Sequence, residues 1–114
     1  MTHHMNLKSP PFSLIASGKK TIELRLWDEK RQKIAPGDTI VFTNAADTTQ
    51  QIACSVEKLH LFADFPQLYE ALPLDKCGYL PQEIPNASPA DMDIYYPAQK
   101  QRQYGVVGIE LRLL

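Results

Sequence analysis

Apolar and polar residues alternate along several stretches of the chain, which is the pattern of β-strands with one buried face. Successive side chains of a strand point to opposite sides of the sheet, so an alternating stretch buries one row of residues and leaves the other row polar. The last of these stretches alternates over its whole length, and we expect it to close the sheet. The predicted strands are residues 21–27, 39–43, 52–62 and 104–113.

Helices are predicted where capping residues precede apolar residues at helical spacing. Short polar side chains accept hydrogen bonds from the free N–H groups of a first turn, and glycine or proline ends the helix. The predicted helices run from a cap at Ser9 to Gly18, from a cap at Asp64 to Pro73, and from a capping box at Ser88–Asp91 to Tyr96. Residues 73–87 contain three prolines and are predicted to be irregular, and the first residues are predicted to be mobile.

These elements predict one α+β domain over residues 1–114. Short strands punctuated by short helices favour a small, mostly antiparallel sheet that curls towards a barrel, with helices at its periphery. The chain of 114 residues is 44% hydrophobic, which is enough to bury a core. Neither the glycine-rich dinucleotide pattern nor the P-loop pattern occurs, so we expect no cofactor, no dinucleotide and no nucleoside triphosphate.

Nothing in the sequence predicts a membrane span, an exported protein or a metal site. No apolar run reaches the roughly 18 residues that a membrane helix needs, so we expect a soluble, cytoplasmic protein. Cys54 and Cys77 lack metal-ligand spacing and are expected to be reduced, buried thiols. His3, His4 and His60 do not form the convergent ligand set that a metal requires.

Charge is distributed unevenly along the chain, although the net charge is only −1. Residues 19–33 hold six basic and three acidic residues, a local charge of +3, whereas residues 34–99 hold two basic and nine acidic residues, a local charge of −7. This asymmetry predicts a local contact with an anionic ligand rather than general attraction to polyanions. The alternative interpretation is that the basic stretch is only a solvated surface.

One motif concentrates candidate chemistry at the start of the first predicted strand. Gly18, Lys20, Glu23 and Arg25 form the pattern Gly-x-Lys-x-x-Glu-x-Arg. Alternation predicts that Ile22, Leu24 and Leu26 face the core while Thr21, Glu23, Arg25 and Trp27 face the other side. Glu23 and Arg25 then lie close enough to orient each other, with Lys20 entering from the turn. The alternative is a surface ion pair of at most about 1 kcal/mol, with Lys20 merely solvated.

The motif and its flanking elements resemble the ASCH-domain family of the PUA-like superfamily. The resemblance rests on Gly18-x-Lys20-x-x-Glu23-x-Arg25, on Pro36-Gly37-Asp38 before a strand, and on Tyr104-Gly105-Val106-Val107 at the start of the last strand. It implies a small PUA-like β-barrel with peripheral helices, and a cleft into which the motif points. It also implies RNA or a modified nucleoside as the ligand.

The chemistry of the motif residues is compatible with such a ligand. The expected ligand-binding residues are Lys20, Thr21, Glu23, Arg25 and Trp27. Lys20 and Arg25 offer donors to phosphate or carbonyl oxygens, and Glu23 orients Arg25 or accepts from a base. Aromatic rings stack on unpaired bases in many RNA readers, and the candidates are Trp27, which is the best placed, and Tyr79, Tyr95, Tyr96 and Tyr104. Core packing is the alternative role for Tyr95 and Tyr104.

A hydrolase is the second hypothesis. Some ASCH relatives are amidohydrolases that deacetylate acetylated cytidine with a Lys, a Thr and a Glu, and others are ribonucleases. Lys20 matches the lysine of that set, but Glu23 stands where the nucleophilic threonine is expected, and Thr21 is a neighbouring substitute. Glu83 is the candidate third residue. Lys20 and Glu23 are therefore the catalytic candidates, with Glu23 as a general base for water.

Overall fold

The computed structural model describes residues 1–114, which form five strands and three α-helices. The strands are β1 (Thr2–Leu7), β2 (Ile22–Leu26), β3 (Thr39–Asn44), β4 (Asp47–Phe62) and β5 (Val106–Leu113). The α-helices are α1 (Ser9–Ala16), α2 (Phe65–Ala71) and α3 (Ala98–Tyr104), and short 3₁₀ helices span Arg31–Lys33, Ile84–Asn86 and Pro89–Ile94. The predicted α+β class is confirmed.

The five strands form one curled sheet, a half-barrel, in the order β1-β3-β4-β5-β2. Three of the four strand pairs are antiparallel, and β1 runs parallel to β3, so the mostly antiparallel prediction is confirmed. The last strand, β5, lies inside the sheet, where it pairs with both β4 and β2. The two edge strands are β1 and β2.

One strand and one α-helix were not predicted. The first residues, for which no regular structure was predicted, form β1, in which Met5 and Leu7 are buried and His3 bonds to Asp38 at 2.8 Å. This strand is short and pairs with residues more than thirty positions away, so its local pattern carries little signal. Helix α3 contains mostly long polar residues and is capped after Tyr104 by Gly105, whose φ of 73° glycine adopts without strain.

Several predicted boundaries shift. Ser9 is the first helical residue rather than the N-cap, and its hydroxyl donates instead to Asn44 Oδ1 at 3.0 Å. Strand β4 begins at Asp47 rather than at the predicted residue 52, because β3 and β4 form a tight hairpin. Asp64 caps α2 as predicted, and the capping box at Ser88 is present, although it starts a 3₁₀ helix.

Apolar side chains fill both faces of the sheet. The first core packs α1 against β1, β3, β4 and one face of β5, and the second packs α2 against β2. The apolar row predicted for the motif strand is confirmed, because Ile22, Leu24 and Leu26 lie in the second core. Both cysteines are buried and unpaired, as expected. None of the helices combines the length and the apolar character that crossing a bilayer demands.

Candidate ligand-binding cavity

The backbone around the motif fixes Lys20 at the entry to β2. Helix α1 ends before Gly18, which adopts a φ of 81°, and the Lys20 N–H donates to the Leu14 carbonyl at 3.0 Å. The next two N–H groups, of Thr21 and Ile22, both donate to the Lys76 carbonyl. The loop that carries Lys20 is therefore held from α1 on one side and from the segment after α2 on the other.

Lys20, Glu23 and Arg25 form a buried ion triad, which we call the charged cluster. The Lys20 Nζ atom lies 2.8 Å from Glu23 Oε1, and the Arg25 Nε–H donates to Glu23 Oε2 at 2.8 Å. The three side chains are only 10%, 5% and 14% exposed, respectively. The alternative of a loose surface pair is therefore wrong, since surface side chains would be largely solvated.

Glu23 and Arg25 both favour their charged forms despite their burial. Burial alone would raise the pKa of the Glu23 carboxyl, but the charges and hydrogen bonds of Lys20 and Arg25 outweigh burial and lower that pKa below its usual value. Burial opposes the charge of Arg25 too, yet the Glu23 carboxylate raises the Arg25 pKa. Each charge is thus stabilised by its partners, as a buried ion must be.

Arg25 also joins the two edge strands of the half-barrel. Its Nη2 group donates to the Asn6 carbonyl at 3.1 Å, so a side chain of β2 satisfies a backbone acceptor of β1. No strand pairing connects these two edges. The charged cluster therefore lies in the gap where the sheet fails to close into a full barrel, which explains how a polar row on a strand becomes buried.

The segment after α2 packs closely against Lys20. Gly78 has a φ of 106°, and a Cβ atom placed there would lie 3.0 Å from Lys20 Cδ. Glycine is required at this position both by the backbone and by the space that the lysine side chain occupies. The close contact restricts the ways in which Lys20 can turn away from Glu23.

The charged cluster lines a cavity of about 870 Å³. This size falls within the range of sites for small organic ligands. Its lining includes four tyrosines, Tyr69, Tyr79, Tyr95 and Tyr96, and apolar side chains from β1, α1 and the 3₁₀ helix Pro89–Ile94. Its charged residues are three bases and three acids: Lys8, Lys20, Arg25, Glu23, Glu83 and Asp91.

The cavity unites three of the five predicted ligand-binding residues. Lys20, Glu23 and Arg25 line it, together with the predicted candidate Glu83. Thr21 lies outside it, in a separate recess of about 220 Å³, and the alternation that placed Thr21 beside Glu23 fails because β2 begins only at Ile22. Trp27 also lies outside the cavity.

Trp27 follows the end of β2, and its side chain packs against the first core. Its backbone N–H donates to the Gly105 carbonyl. Among the tyrosine candidates, Tyr104 bonds to Glu29 away from the cavity, whereas Tyr95 lines it and is 54% exposed. Tyr95 therefore does not pack in the core, which was its alternative role, and its ring centroid lies 5.6 Å from Lys8 Nζ. Aromatic surface is therefore supplied by α2 and the segment that follows it, not by the motif strand.

Two cavity residues had only structural roles in the sequence interpretation. Tyr69 belongs to the apolar stripe of α2, and Asp91 belongs to the capping box, yet both line the cavity. The hydroxyl of Tyr69 is the sequence signal that could have indicated its role, because a tyrosine within a buried apolar stripe needs a polar partner. That partner is Tyr79, at 2.6 Å between the hydroxyl oxygens. No set of three or more His, Cys, Asp or Glu side chains converges to hold a metal ion.

Comparison with known proteins agrees with this architecture. The profile of the ASCH domain matches residues 5–114, so the chain belongs to the ASCH domain family. The crystal structure of the hypothetical protein PH0355 superposes with a TM-score of 0.82 at 29% identity, and each chain is covered completely. The solution structure of protein PF0455 from Pyrococcus furiosus gives 0.74 at 31% identity, covering 100% of this chain and 98% of that one.

A more distant similarity supports the fold alone. The S128A mutant of an ASCH protein from Zymomonas mobilis superposes with a TM-score of 0.68 at 17% identity, covering 97% of this chain and 67% of that one. Among curated proteins, no sequence matches the chain. The PUA-like ASCH fold expected from the motif is therefore confirmed, and ASCH domains are generally RNA-binding.

Proposed function

We propose that this ASCH domain binds RNA, or a modified nucleoside, by taking a single unpaired base into the cavity. The observation that carries the proposal is a buried charged cluster, fixed by its own ion pairs, at a cavity lined by four tyrosines. RNA readers commonly place unstacked bases against aromatic rings and bond to their polar edges. The cavity offers both kinds of contact, within a fold family that is generally RNA-binding.

The charged cluster has donors to spare. An ammonium group carries three N–H donors and a guanidinium group carries five. Lys20 Nζ contacts only Glu23, and Arg25 uses its Nε and Nη2 groups, which leaves Nη1 without a protein partner. Since Glu23 and the Asn6 carbonyl already fix these side chains, a ligand carbonyl oxygen meets donors that are in place before it binds.

The charge of the lining favours a neutral base over a phosphate inside the cavity. Three basic and three acidic side chains give the lining no net charge. A phosphate placed there would meet Glu23, Glu83 and Asp91 as well as the cations. A phosphate therefore belongs at the mouth or beyond it, where solvent screens its repulsion. Of the two partners that the sequence suggested for Lys20 and Arg25, phosphate and carbonyl oxygens, the proposal therefore takes the carbonyl oxygen.

The geometry favours binding over hydrolysis. No serine or threonine lines the cavity, and burial raises the pKa of Cys77 to about 11, which keeps its thiol protonated and unreactive. Both oxygens of Glu23 accept from cations, and its lowered pKa makes it a weak base. The lysine–threonine–glutamate mechanism of the amidohydrolase hypothesis therefore lacks its hydroxyl in this cavity.

The test is calorimetric titration of the protein with nucleosides and with short single-stranded RNA. We expect saturable binding, competition between nucleoside and RNA, and a loss of about 10-fold in affinity in the Lys20→Gln variant, which removes a charged donor. Lys19→Gln, at the adjacent exposed lysine, is the matched control and should bind like the wild type. The proposal fails if Lys20→Gln folds and binds unchanged.

Mass analysis of the same mixtures separates the two hypotheses. The binding proposal predicts that acetylated cytidine and RNA are recovered intact after incubation with the protein. Turnover that disappears in Lys20→Gln but persists in Lys19→Gln would establish a hydrolase instead.

A further inference from the structure

Three side chains from different elements of the cavity lining form a hydrogen-bonded chain. The Tyr79 hydroxyl donates to Asp91 Oδ2 at 2.8 Å, and the hydroxyl oxygens of Tyr69 and Tyr79 lie 2.6 Å apart. Tyr69 belongs to α2, Tyr79 to the irregular segment, and Asp91 to the 3₁₀ helix Pro89–Ile94. We call these three residues the acceptor wall.

Each hydrogen bond between the three side chains of the acceptor wall has only one possible donor. A carboxylate only accepts hydrogen bonds, and a phenol has a single proton to donate. Since Tyr79 gives its proton to Asp91, Tyr69 must give its own proton to Tyr79. Neither hydroxyl retains a proton for a ligand. The two phenol oxygens and the carboxylate therefore offer a ligand acceptors and no donors.

Asp91 presents the strongest of these acceptors. Its Oδ2 atom accepts from Tyr79 and from the Ser88 N–H at 3.1 Å, while its Oδ1 atom has no protein partner. The capping box and the tyrosine chain together hold the carboxylate in place. Glu83, another acid of the lining, likewise uses only Oε1, which accepts from the Leu80 N–H.

The cavity thus has two chemically opposite parts. The charged cluster leaves donors unpaired, and the acceptor wall leaves acceptors unpaired. A base with a carbonyl oxygen or ring nitrogen on one edge and an amino group on another satisfies both parts, whereas a carbonyl group facing the wall meets lone pairs and a negative charge. A base placed with a carbonyl group towards the acceptor wall gains no hydrogen bond from it and is repelled by the Asp91 carboxylate, so it binds more weakly.

We infer that Tyr69, Tyr79 and Asp91 determine specificity by selecting bases that bring an amino group to the wall. The inference rests on the proposed function, because it concerns the same cavity and its base ligand. Asp91 is assigned as a ligand contact through Oδ1, and Tyr79 as the residue that positions it.

Paired nucleosides test the inference, because cytidine and uridine, like adenosine and inosine, differ by an amino group against a carbonyl oxygen. Calorimetric titration of the wild type should show the amino member of each pair binding about 10-fold more tightly, the typical effect of one hydrogen bond to a charged acceptor. Equal affinities within both pairs would overturn the inference and leave the proposed function intact. Absence of binding by all four nucleosides would overturn both.

Asp91→Asn makes the test specific to the wall. The asparagine oxygen can keep the bonds to Tyr79 and to the Ser88 N–H, while its amide group replaces the free acceptor by a donor. We expect the preference for amino bases to disappear or reverse, which loss of packing alone would not produce. Asp93→Asn is the matched control, because Asp93 lies in the same 3₁₀ helix but bonds to Gln101 outside the cavity lining.

A second variant covers the case in which Asp91→Asn does not fold. Tyr79→Phe removes the bond that positions Asp91 and should reduce the preference for amino bases, whereas Tyr104→Phe, which only loses a bond to Glu29, should leave the preference intact. An unchanged preference in a folded Asp91→Asn or Tyr79→Phe protein would contradict the assignment.

Discussion

The two parts of the cavity are built in opposite ways. The charged cluster lies on a regular strand and its entry turn, is almost wholly buried, and is joined by short ion pairs. The acceptor wall spans α2, an irregular segment and a 3₁₀ helix, and it is joined by three side-chain oxygens, with Asp91 exposed. The charged cluster is therefore integral to the fold, whereas the acceptor wall can be altered at small cost to stability.

The largest effect is expected from Glu23→Gln. The substitution leaves two buried cations without their counter-charge, which typically costs about 3–5 kcal/mol of unfolding free energy. Urea unfolding of the variant and the wild type measures this loss of unfolding free energy. Glu57→Gln is the matched control, since Glu57 pairs with Arg112 at the surface, where the two side chains are 41% and 66% exposed and such a pair contributes less than about 1 kcal/mol. Similar losses in the two variants would show that burial of the cluster has no energetic consequence.

Acid should weaken the cluster in the wild type. The pKa of Glu23 lies lower in the folded protein than its ordinary value of 4.5, so folding favours the ionised carboxyl. That contribution is complete above pH 4.5 and is lost as the pH falls through the folded-state pKa. We expect the unfolding free energy to decline below this pH, and to decline less steeply in Glu23→Gln.

Asp38 provides a second acid-sensitive group for comparison. Hydrogen bonds from His3 and from the Ala35 N–H lower its pKa to about 2. Its contribution to the unfolding free energy is therefore also lost in acid, like that of Glu23. The unfolding free energy of Glu23→Gln and of Asp38→Asn, measured as a function of pH, separates the contributions of the two carboxyl groups. A wild-type acid profile in Glu23→Gln would mean that Glu23 does not titrate with folding.

Gly78→Ala should have an intermediate effect, because Gly78 connects the two parts. A side chain at its φ of 106° costs about 1–2 kcal/mol, and the new methyl group also presses on Lys20. Gly37→Ala is the control, since Gly37 has a φ of 91° but no atom within 4 Å of its added methyl group. Thermal unfolding should show a larger loss at Gly78, and nucleoside affinity should fall only there.

The smallest effect on stability is expected from Tyr79→Phe. Loss of one hydroxyl that bonds within a partly solvated chain costs about 1 kcal/mol. Urea unfolding checks this value against Tyr104→Phe, whose hydroxyl lies outside the cavity lining. A loss as large as that of Glu23→Gln would show that the wall is as integral to the fold as the cluster.

The same contrast explains what could be predicted from the sequence. Lys20, Glu23 and Arg25 lie within six residues, so strand alternation alone placed Glu23 beside Arg25, and the motif led to the cavity. The acceptor wall spreads over more than twenty residues in three elements, and its members have adequate local explanations as helix stripe and capping box. Only the tertiary fold brings them together.

Other differences have equally local causes. The pairing of β1 with β3 is parallel and distant in sequence, so neither strand predicts it. Trp27 continues the side of Glu23 and Arg25, but it lies beyond the last residue of β2 and reaches the first core instead of the cavity. Prediction by alternation is reliable within a strand and fails where the strand begins or ends, as Thr21 shows at the other end.

The account depends most on the claim that the charged cluster contacts the ligand. NMR titration of the side-chain Nε–H resonances of the arginines with cytidine tests it directly. We predict that the Arg25 resonance shifts saturably while that of Arg112, which is paired with Glu57 outside the cavity, does not move. Saturable binding that leaves Arg25 unmoved and shifts other arginines would contradict the account.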